Sequence, residues 1–288
     1  MIFLDPRNDV AFKKIFGSDQ HKNITISFLN ALLEYTGDNI ISDVQFLNTE
    51  QHPMIIKEKK DNILDILCTD QAKKQYIIEM QVEPVKEFGN RMVYYGSKTY
   101  AMQLGIGKSY RELTPVIIIA ITNFNVLPKS EGYKSIHKIQ STKTEQCHLN
   151  QLTFVFAELK KFTKQEDELV IAEDKWFYFI KEIAKKAKIP KPLSTKEFKD
   201  ACQVAERMKW SEAELNAYDD AFVKATDLQG AIELAEERGE ARGEAKGQTK
   251  GEVNKAIKIA TSMLRKGIKI EAIAELTELS VEDIKKIK

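Results

Sequence analysis

The chain has 288 residues, 43% of them hydrophobic, with 44 basic side chains against 43 acidic ones. That length and apolar content suffice for one large or two smaller packed domains and exclude a disordered polymer, while the balanced charge excludes a protein-wide basic field, so any contact with nucleic acid must come from a local patch. The cysteines Cys68, Cys147 and Cys202 are odd in number and far apart without a C-x-x-C pair, which excludes a disulfide scaffold or a zinc knuckle.

Met1 to Arg7 has no basic n-region and too short an apolar run for a signal peptide. No later stretch approaches the ~20 apolar residues of a membrane span, so the expectation is a reduced, cytoplasmic protein without membrane contact. Asn8 or Asp9 can cap a short helix in which Phe12, Ile15 and Phe16 fall at i, i+3 and i+4, with Gly17 as its stop. A second helix is expected over 23–35, with Ile24, Phe28, Leu32 and Tyr35 on one face and Gly37 beyond its end. Residues 40–47 read as a first strand, followed by a loop carrying His52, Pro53, Lys57, Lys59 and Lys60.

Two apolar runs, 63–68 and 76–82, then flank the polar segment 69–74, which reads as a β-hairpin with Lys73 and Lys74 on its turn. Each run contains an acid. Alternation places Asp65 and Leu67 on one face, and Ile77, Glu79 and Gln81 on one face of the next strand, so Asp65 and Glu79 can lie side by side. Two adjacent carboxylates in an apolar sheet repel and need a cation or solvent, and Mg²⁺, a hard ion held by one or two carboxylates plus water and phosphate oxygens, suits them best. Periodicity alone leaves a second reading level with the first: two acids on the wet face of an ordinary hairpin.

After Pro84 a helix is expected over 86–104, stopped by Gly105 and Gly107, with Arg91, Tyr94 and Gln103 along it. Arg91 can either contact a phosphate or anchor the helix to a sheet carboxylate, and Tyr94, Tyr95 and Tyr100 read as core aromatics. The continuous apolar run 116–121 is a strand buried on both faces, and 133–139 and 149–157 are two further β runs. The histidines lie in separate segments with no i, i+4 pair, so a histidine metal site has no support. From about Glu166 the pattern is helical, with the cluster Trp176-Phe177-Tyr178-Phe179, a boundary at Pro190 and Pro192, a helix over 196–208, and another opening at Ser211, where Ser211 and Glu214 fit a capping box.

Residues 238–253 repeat every four positions as basic residue, glycine, polar residue and a small or apolar residue. Glycine at ~1 kcal/mol each makes this a poor helix in isolation, so it is either a linker or a helix held by a partner that packs on the glycine stripe, and self-association as a dimer is the favoured expectation. The tail 255–288 reads as a helix-turn-helix with Ser280 capping its last helix. That helix begins Val281-Glu282-Asp283 and lacks the Arg, Asn or Gln needed for base contact, so packing or regulation is its expected job.

Asp65, a turn, then Glu79-Met80-Gln81 resembles the Asp…Glu-x-Lys/Gln signature of the PD-(D/E)XK nuclease superfamily, in particular its Rpn branch of recombination-promoting nucleases and transposases. Upstream, Asp9-Val10-Ala11-Phe12-Lys13-Lys14-Ile15-Phe16-Gly17 and Phe28-Leu29-Asn30-Ala31-Leu32-Leu33 are similar to that branch, as are Arg91, Tyr94-Tyr95, Tyr100, Gln103, Tyr110 and Pro115-Val116-Ile117 downstream. Two departures stand out: no Pro precedes Asp65, and Gln81 replaces the usual lysine, although Gln is common in this branch. A neutral amide cannot supply positive charge.

The resemblance implies an α/β, restriction-endonuclease-like core (helix, three strands, helix, strand) with a helical C-terminal extension. It implies a DNA endonuclease using Mg²⁺ or Mn²⁺, associated with recombination or transposition-like events. Asp65 and Glu79 would hold the metal with a main-chain carbonyl near Met80, and Gln81 would orient water. Arg91, Lys73 and Lys74 would contact DNA, and Asp9 could add an acid. The competing expectation is a non-catalytic DNA-binding or regulatory protein on a decayed nuclease fold. The expected divisions are a nuclease-like domain 1–160, a helical region 161–230 packing on it, the repeat 231–253 and the tail 254–288.

Overall fold

A computed structural model of the chain describes residues 1–47, 64–105, 107 and 109–287. The loop carrying His52, Pro53, Lys57, Lys59 and Lys60, and Ile63, the first residue of the expected run 63–68, lie outside the described residues. Contacts divide the chain into two units, Met1–Ala225 and Thr226–Lys288.

Apolar segments of the first unit, unbroken at the centre, build one six-stranded sheet. Its strands are β1 (Val44–Phe46), β2 (Ile66–Asp70), β3 (Gln75–Gln81), β4 (Val116–Thr122), β5 (Lys134–Ile139) and β6 (Leu149–Glu158), in spatial order β1-β2-β3-β4-β6-β5. β2 and β3 form the expected antiparallel hairpin, with Ile66 opposite Ile78 and Cys68 opposite Tyr76. β3 runs parallel to β4, and β4 parallel to β6, so the helix between β3 and β4 is the crossover such a pair requires. All seven residues of β4 are buried, as an unbroken apolar run at the centre of a doubly covered sheet should be.

Among the described residues the α-helices are α1 (Asp9–Phe16), α2 (Lys22–Leu32), α3 (Phe88–Met102), α4 (Ala172–Glu182), α5 (Lys196–Ala205), α6 (Glu212–Arg265), α7 (Ile270–Thr277) and α8 (Val281–Lys286). One face of the sheet, with Ile66, Ile78, Ile119 and Val155, packs against α1, α2, α4 and α5 through Phe12, Phe28, Trp176 and Phe198. The opposite face, with Leu67, Ile77, Ile118 and Phe156, packs against α3 through Phe88, Met92 and Tyr95. Gly96 sets how close α3 comes: a Cβ there would stand 2.5 Å from Ile118 Cδ1.

Several boundaries shift from the sequence reading, each for a local reason. The first strand begins at Val44 rather than near Ile40 because the Asn30 side chain takes up both backbone groups of Ile41: its Nδ2 donates to the Ile41 carbonyl and its Oδ1 accepts the Ile41 N–H, both at 2.9 Å. The second helix ends at Leu32, and the chain reverses through Glu34 at φ +54 and Gly37 at φ +56. The helix expected from Glu166 starts at Ala172, because the Gln165 and Glu168 capping box closes a separate short turn first. Tyr95 is buried as expected, whereas Tyr94 is exposed.

The 238–253 repeat lies within α6, so it is helical. In the second unit, Ala260, Ile273 and Ile284 form a small core joining the end of α6 to α7 and α8, and the Ser280 side chain caps α8 by accepting the Asp283 N–H.

Trp176 is the largest fully buried side chain, in contact with the rings of Phe16, Phe28, Phe179 and Phe198. Trp176→Ala should cost about 3–5 kcal/mol in denaturant unfolding. Trp176→Phe should cost less than half of that, because its indole Nε1 is buried without a hydrogen-bond partner among the described residues and the substitution removes that donor. Equal losses would show that the indole, rather than a filled volume, holds the core.

Candidate active site

Stepping the β2/β3 register outward from the Ile66–Ile78 pair places Asp65 directly opposite Glu79, at the open end of the hairpin. The two side chains each hold the other's strand. The Met80 N–H donates to Asp65 Oδ2 at 2.8 Å, and the Asp65 N–H donates to Glu79 Oε1 at 3.3 Å. The alternation that puts Leu67 and Ile77 toward α3 puts Asp65, Glu79 and Gln81 there too.

Other elements bring charge to this pair. Lys13, on α1, lies 3.4 Å from Asp65 Oδ1 and 2.7 Å from Asp9 Oδ1, so it bridges the two acids. Arg91, on α3, donates from Nη2 to Gln81 Oε1 at 2.7 Å. Burial raises the Asp65 carboxyl to about 7; Lys13 opposes that rise and the like charge of Asp9 adds to it. Burial and then the charge of Asp65 hold the Glu79 carboxyl well above the usual carboxylate range, against the pull of Arg91. The Lys13 ammonium is held up by Asp65 and Asp9 in spite of its own burial.

This arrangement corrects one part of the sequence reading. The two acids are not on the wet face of a hairpin: Glu79 is 6% exposed and the Asp65 side chain 12%. They are two neighbouring oxygen donors whose ionised forms are under-compensated, and a hard divalent cation fits that donor set. Among the described residues no group of three His, Cys, Asp or Glu side chains is arranged to hold a metal. Two carboxylates, with backbone, water and phosphate oxygens completing the shell, is a set that Mg²⁺ commonly accepts.

Asp9 is the first residue of α1, and the helix is capped by Asn8, whose side chain accepts the Val10 and Ala11 N–H groups. Asp9 is thereby free to pair with Lys13 beside Asp65, rather than serve as the expected cap. Lys73 and Lys74 sit at the closed end of the hairpin, six and five residues before Glu79 with the extended strand between, and the structure does not bring them to the acid pair. Lys73 adopts φ +64 at the turn, and the Lys74 ammonium lies 5.3 Å from the Tyr35 ring. Lys13 is the site residue that sequence reasoning missed, and the Asp9–Lys13 spacing of i, i+4 is the signal that could have found it.

A mixed sheet with an acid-bearing hairpin beside a parallel strand, covered by helices on both faces, defines a restriction-endonuclease-like α/β protein. Residues 6–235 match the family described as PD-(D/E)XK nuclease family transposase, and residues 254–288 match the Rpn/YhgA-like nuclease family C-terminal HTH domain. The chain belongs to the PD-(D/E)XK nuclease family of transposases. No curated protein and no solved structure was found to match it.

The raised carboxyls predict a pH dependence. A carboxyl that titrates near 4 in the unfolded chain and near 7 in the fold contributes stability that is complete below about pH 4 and lost as pH rises through about 7. In EDTA, the wild-type protein should lose about 2 kcal/mol more than Asp65→Asn between pH 5 and 8. Parallel profiles for the two proteins would mean that Asp65 is ionised and solvated in the fold.

Proposed function

We propose that the chain is a Mg²⁺-dependent DNA endonuclease that hydrolyses phosphodiester bonds, in association with recombination or transposition-like events. The observation that carries this reading is the pair Asp65 and Glu79, opposed at the end of the hairpin, their carboxyls pushed above the usual carboxylate range by burial. Asp65 and Glu79 would hold the metal together with the main-chain carbonyl of Met80, and Mn²⁺ would serve the same oxygen set. The bound ion supplies a Lewis acid for the phosphate and lowers the pKa of water.

The remaining work belongs to side chains already in place. Gln81, one step of the alternation beyond Glu79, positions the attacking water. Lys13 and Asp9 hold Asp65 in its orientation while the charge at the site changes. The water oxygen bonds to phosphorus as a phosphorus–oxygen ester bond breaks; the water's proton leaves toward solvent and the departing oxygen takes one from solvent, giving a phosphate monoester and a free hydroxyl.

DNA is the partner proposed for residues 1–160, with 161–230 completing their core. A homodimer is proposed through 231–253 and 254–288, where the glycines of the repeat leave open space along α6. Because α8 has six residues and carries Glu282 and Asp283 in its first turn, its proposed role is association rather than base reading. Among the described residues no helix is long and apolar enough to cross a membrane, and a cytoplasmic location is proposed.

Purified wild-type protein should nick supercoiled plasmid DNA with Mg²⁺ and not with EDTA, and Asp65→Ala should abolish nicking. At pH 8, Mg²⁺ should raise the melting temperature of the wild type and leave that of Asp65→Ala unchanged. Equal nicking by both proteins would place the chemistry elsewhere. No nicking by either, with no thermal response to Mg²⁺, would favour the decayed DNA-binding protein, which the neutral Gln81 supports.

A further inference from the structure

Gln81 stands where the family signature more often has lysine, and an amide brings no charge to a phosphate. A cation reaches the same place from the other layer. Arg91 projects from α3, and its Nη2 donates to Gln81 Oε1 at 2.7 Å. The rings of Phe88 and Tyr95, 5.0 Å and 5.8 Å from the guanidinium carbon, fix its position. Its Nε is buried and has no hydrogen-bond partner among the described residues.

These contacts are unlike those of a helix anchor. An arginine that serves to tie a helix to a sheet carboxylate spends its fork on that carboxylate. Arg91 donates instead to a neutral amide, although the Glu79 carboxyl is close enough to feel its charge. Among the described residues its charge is therefore not consumed by an ion pair, and one donor is held without an acceptor, an arrangement that is costly unless a ligand supplies one. Lys13 shows the contrast, because it is paired with both Asp9 and Asp65.

We infer that Arg91 supplies, from the helix, the positive charge that a motif lysine would supply from the strand, with the scissile phosphate as its anion and Gln81 as its positioning residue. This rests on the nuclease reading. Arginine donates only, so the Gln81 oxygen must face Arg91 and the Gln81 NH₂ is left for the reacting groups. Gln81 thus donates to water or phosphate oxygen and cannot take a proton from water. The contribution of the guanidinium is electrostatic.

The test uses Arg91→Met, which keeps the apolar stem over Phe88 and Tyr95, Gln81→Lys, and the double variant. Each is assayed for plasmid nicking with Mg²⁺ and for affinity to a short DNA duplex with Ca²⁺ in place of Mg²⁺, with the melting temperature as a check of folding. Arg91→Met should nick roughly 100-fold more slowly at every pH from 6 to 9 and bind the duplex several-fold more weakly. The double variant should regain at least about tenfold of that nicking, because the charge returns on the strand. Gln81→Lys alone should nick no faster than wild type, since its ammonium faces Arg91.

Arg91→Met nicking within about threefold of wild type overturns the inference, as does a folded double variant no faster than Arg91→Met. If Arg91→Met does not fold, Arg91→Gln takes its place with the same expectations. If wild type itself does not nick, the nuclease reading fails separately and the duplex affinities decide: a loss in Arg91→Met that Gln81→Lys restores supports Arg91 as the phosphate ligand, and unchanged affinity overturns it.

Discussion

Two buried carboxylates facing each other at the end of one hairpin form the constraint on which the rest of the fold depends. Asp65 shares the Lys13 ammonium with Asp9, Glu79 has no ion pair among the described residues, and each accepts a hydrogen bond from the opposite strand's backbone. Their opposition requires the β2/β3 register to be fixed, because a slip of one residue would turn Glu79 away from α3 into the aromatic core under α1 and α2. Asp70 fixes it at the other end of the hairpin. Its Oδ1 accepts the Ala72 and Lys74 N–H groups and its Oδ2 accepts the Tyr76 hydroxyl, so turn and strand are locked together.

The parallel neighbour then makes the hairpin rigid. Every residue of β3 from Gln75 to Gln81 has a partner on β4, and β4 is buried along its whole length. A carboxylate on β3 therefore cannot relax toward solvent by strand fraying. The crossover helix that the parallel pair demands is α3, the element that carries Arg91, so topology delivers the cation to the face on which alternation leaves Gln81. The absent side chain of Gly96 lets α3 sit close to Ile118, five residues along the helix from Arg91.

What could be read from the sequence was whatever depends on neighbours along the chain. The unbroken run of β4, the α1 stripe of Phe12, Ile15 and Phe16, and the adjacency of Asp65 and Glu79 all follow from period two or 3.6. Contacts between segments distant in sequence were not legible. The Gln81–Arg91 bond spans ten residues through a turn and a helix start, and the Lys13–Asp65 contact spans 52, so no periodicity encodes either. The same holds for Asn30 cutting the first strand short, and for Glu173 and Asp174, which are buried on α4 because Lys134, Lys164 and the Tyr133 hydroxyl come to meet them. Tyr94 and Tyr95 are adjacent and identical in type, and only the docking of α3 decides which is buried.

The charges around the hairpin end give these parts a common logic. Asp9, Asp65 and Glu79, fully ionised, carry three negative charges against the two positive charges of Lys13 and Arg91. One net negative charge around two buried carboxyls favours keeping a proton, consistent with the raised Asp65 and Glu79. In the proposed reading a divalent cation would replace that proton and turn the site to one net positive charge, which a phosphodiester with its single negative charge would neutralise. Arg91 is needed for that balance: without it the metal-loaded site would be neutral and would offer an anion no net attraction. A lysine at position 81 would give the same balance, so in charge terms a Gln81 and Arg91 pair and a strand lysine are two solutions to one requirement.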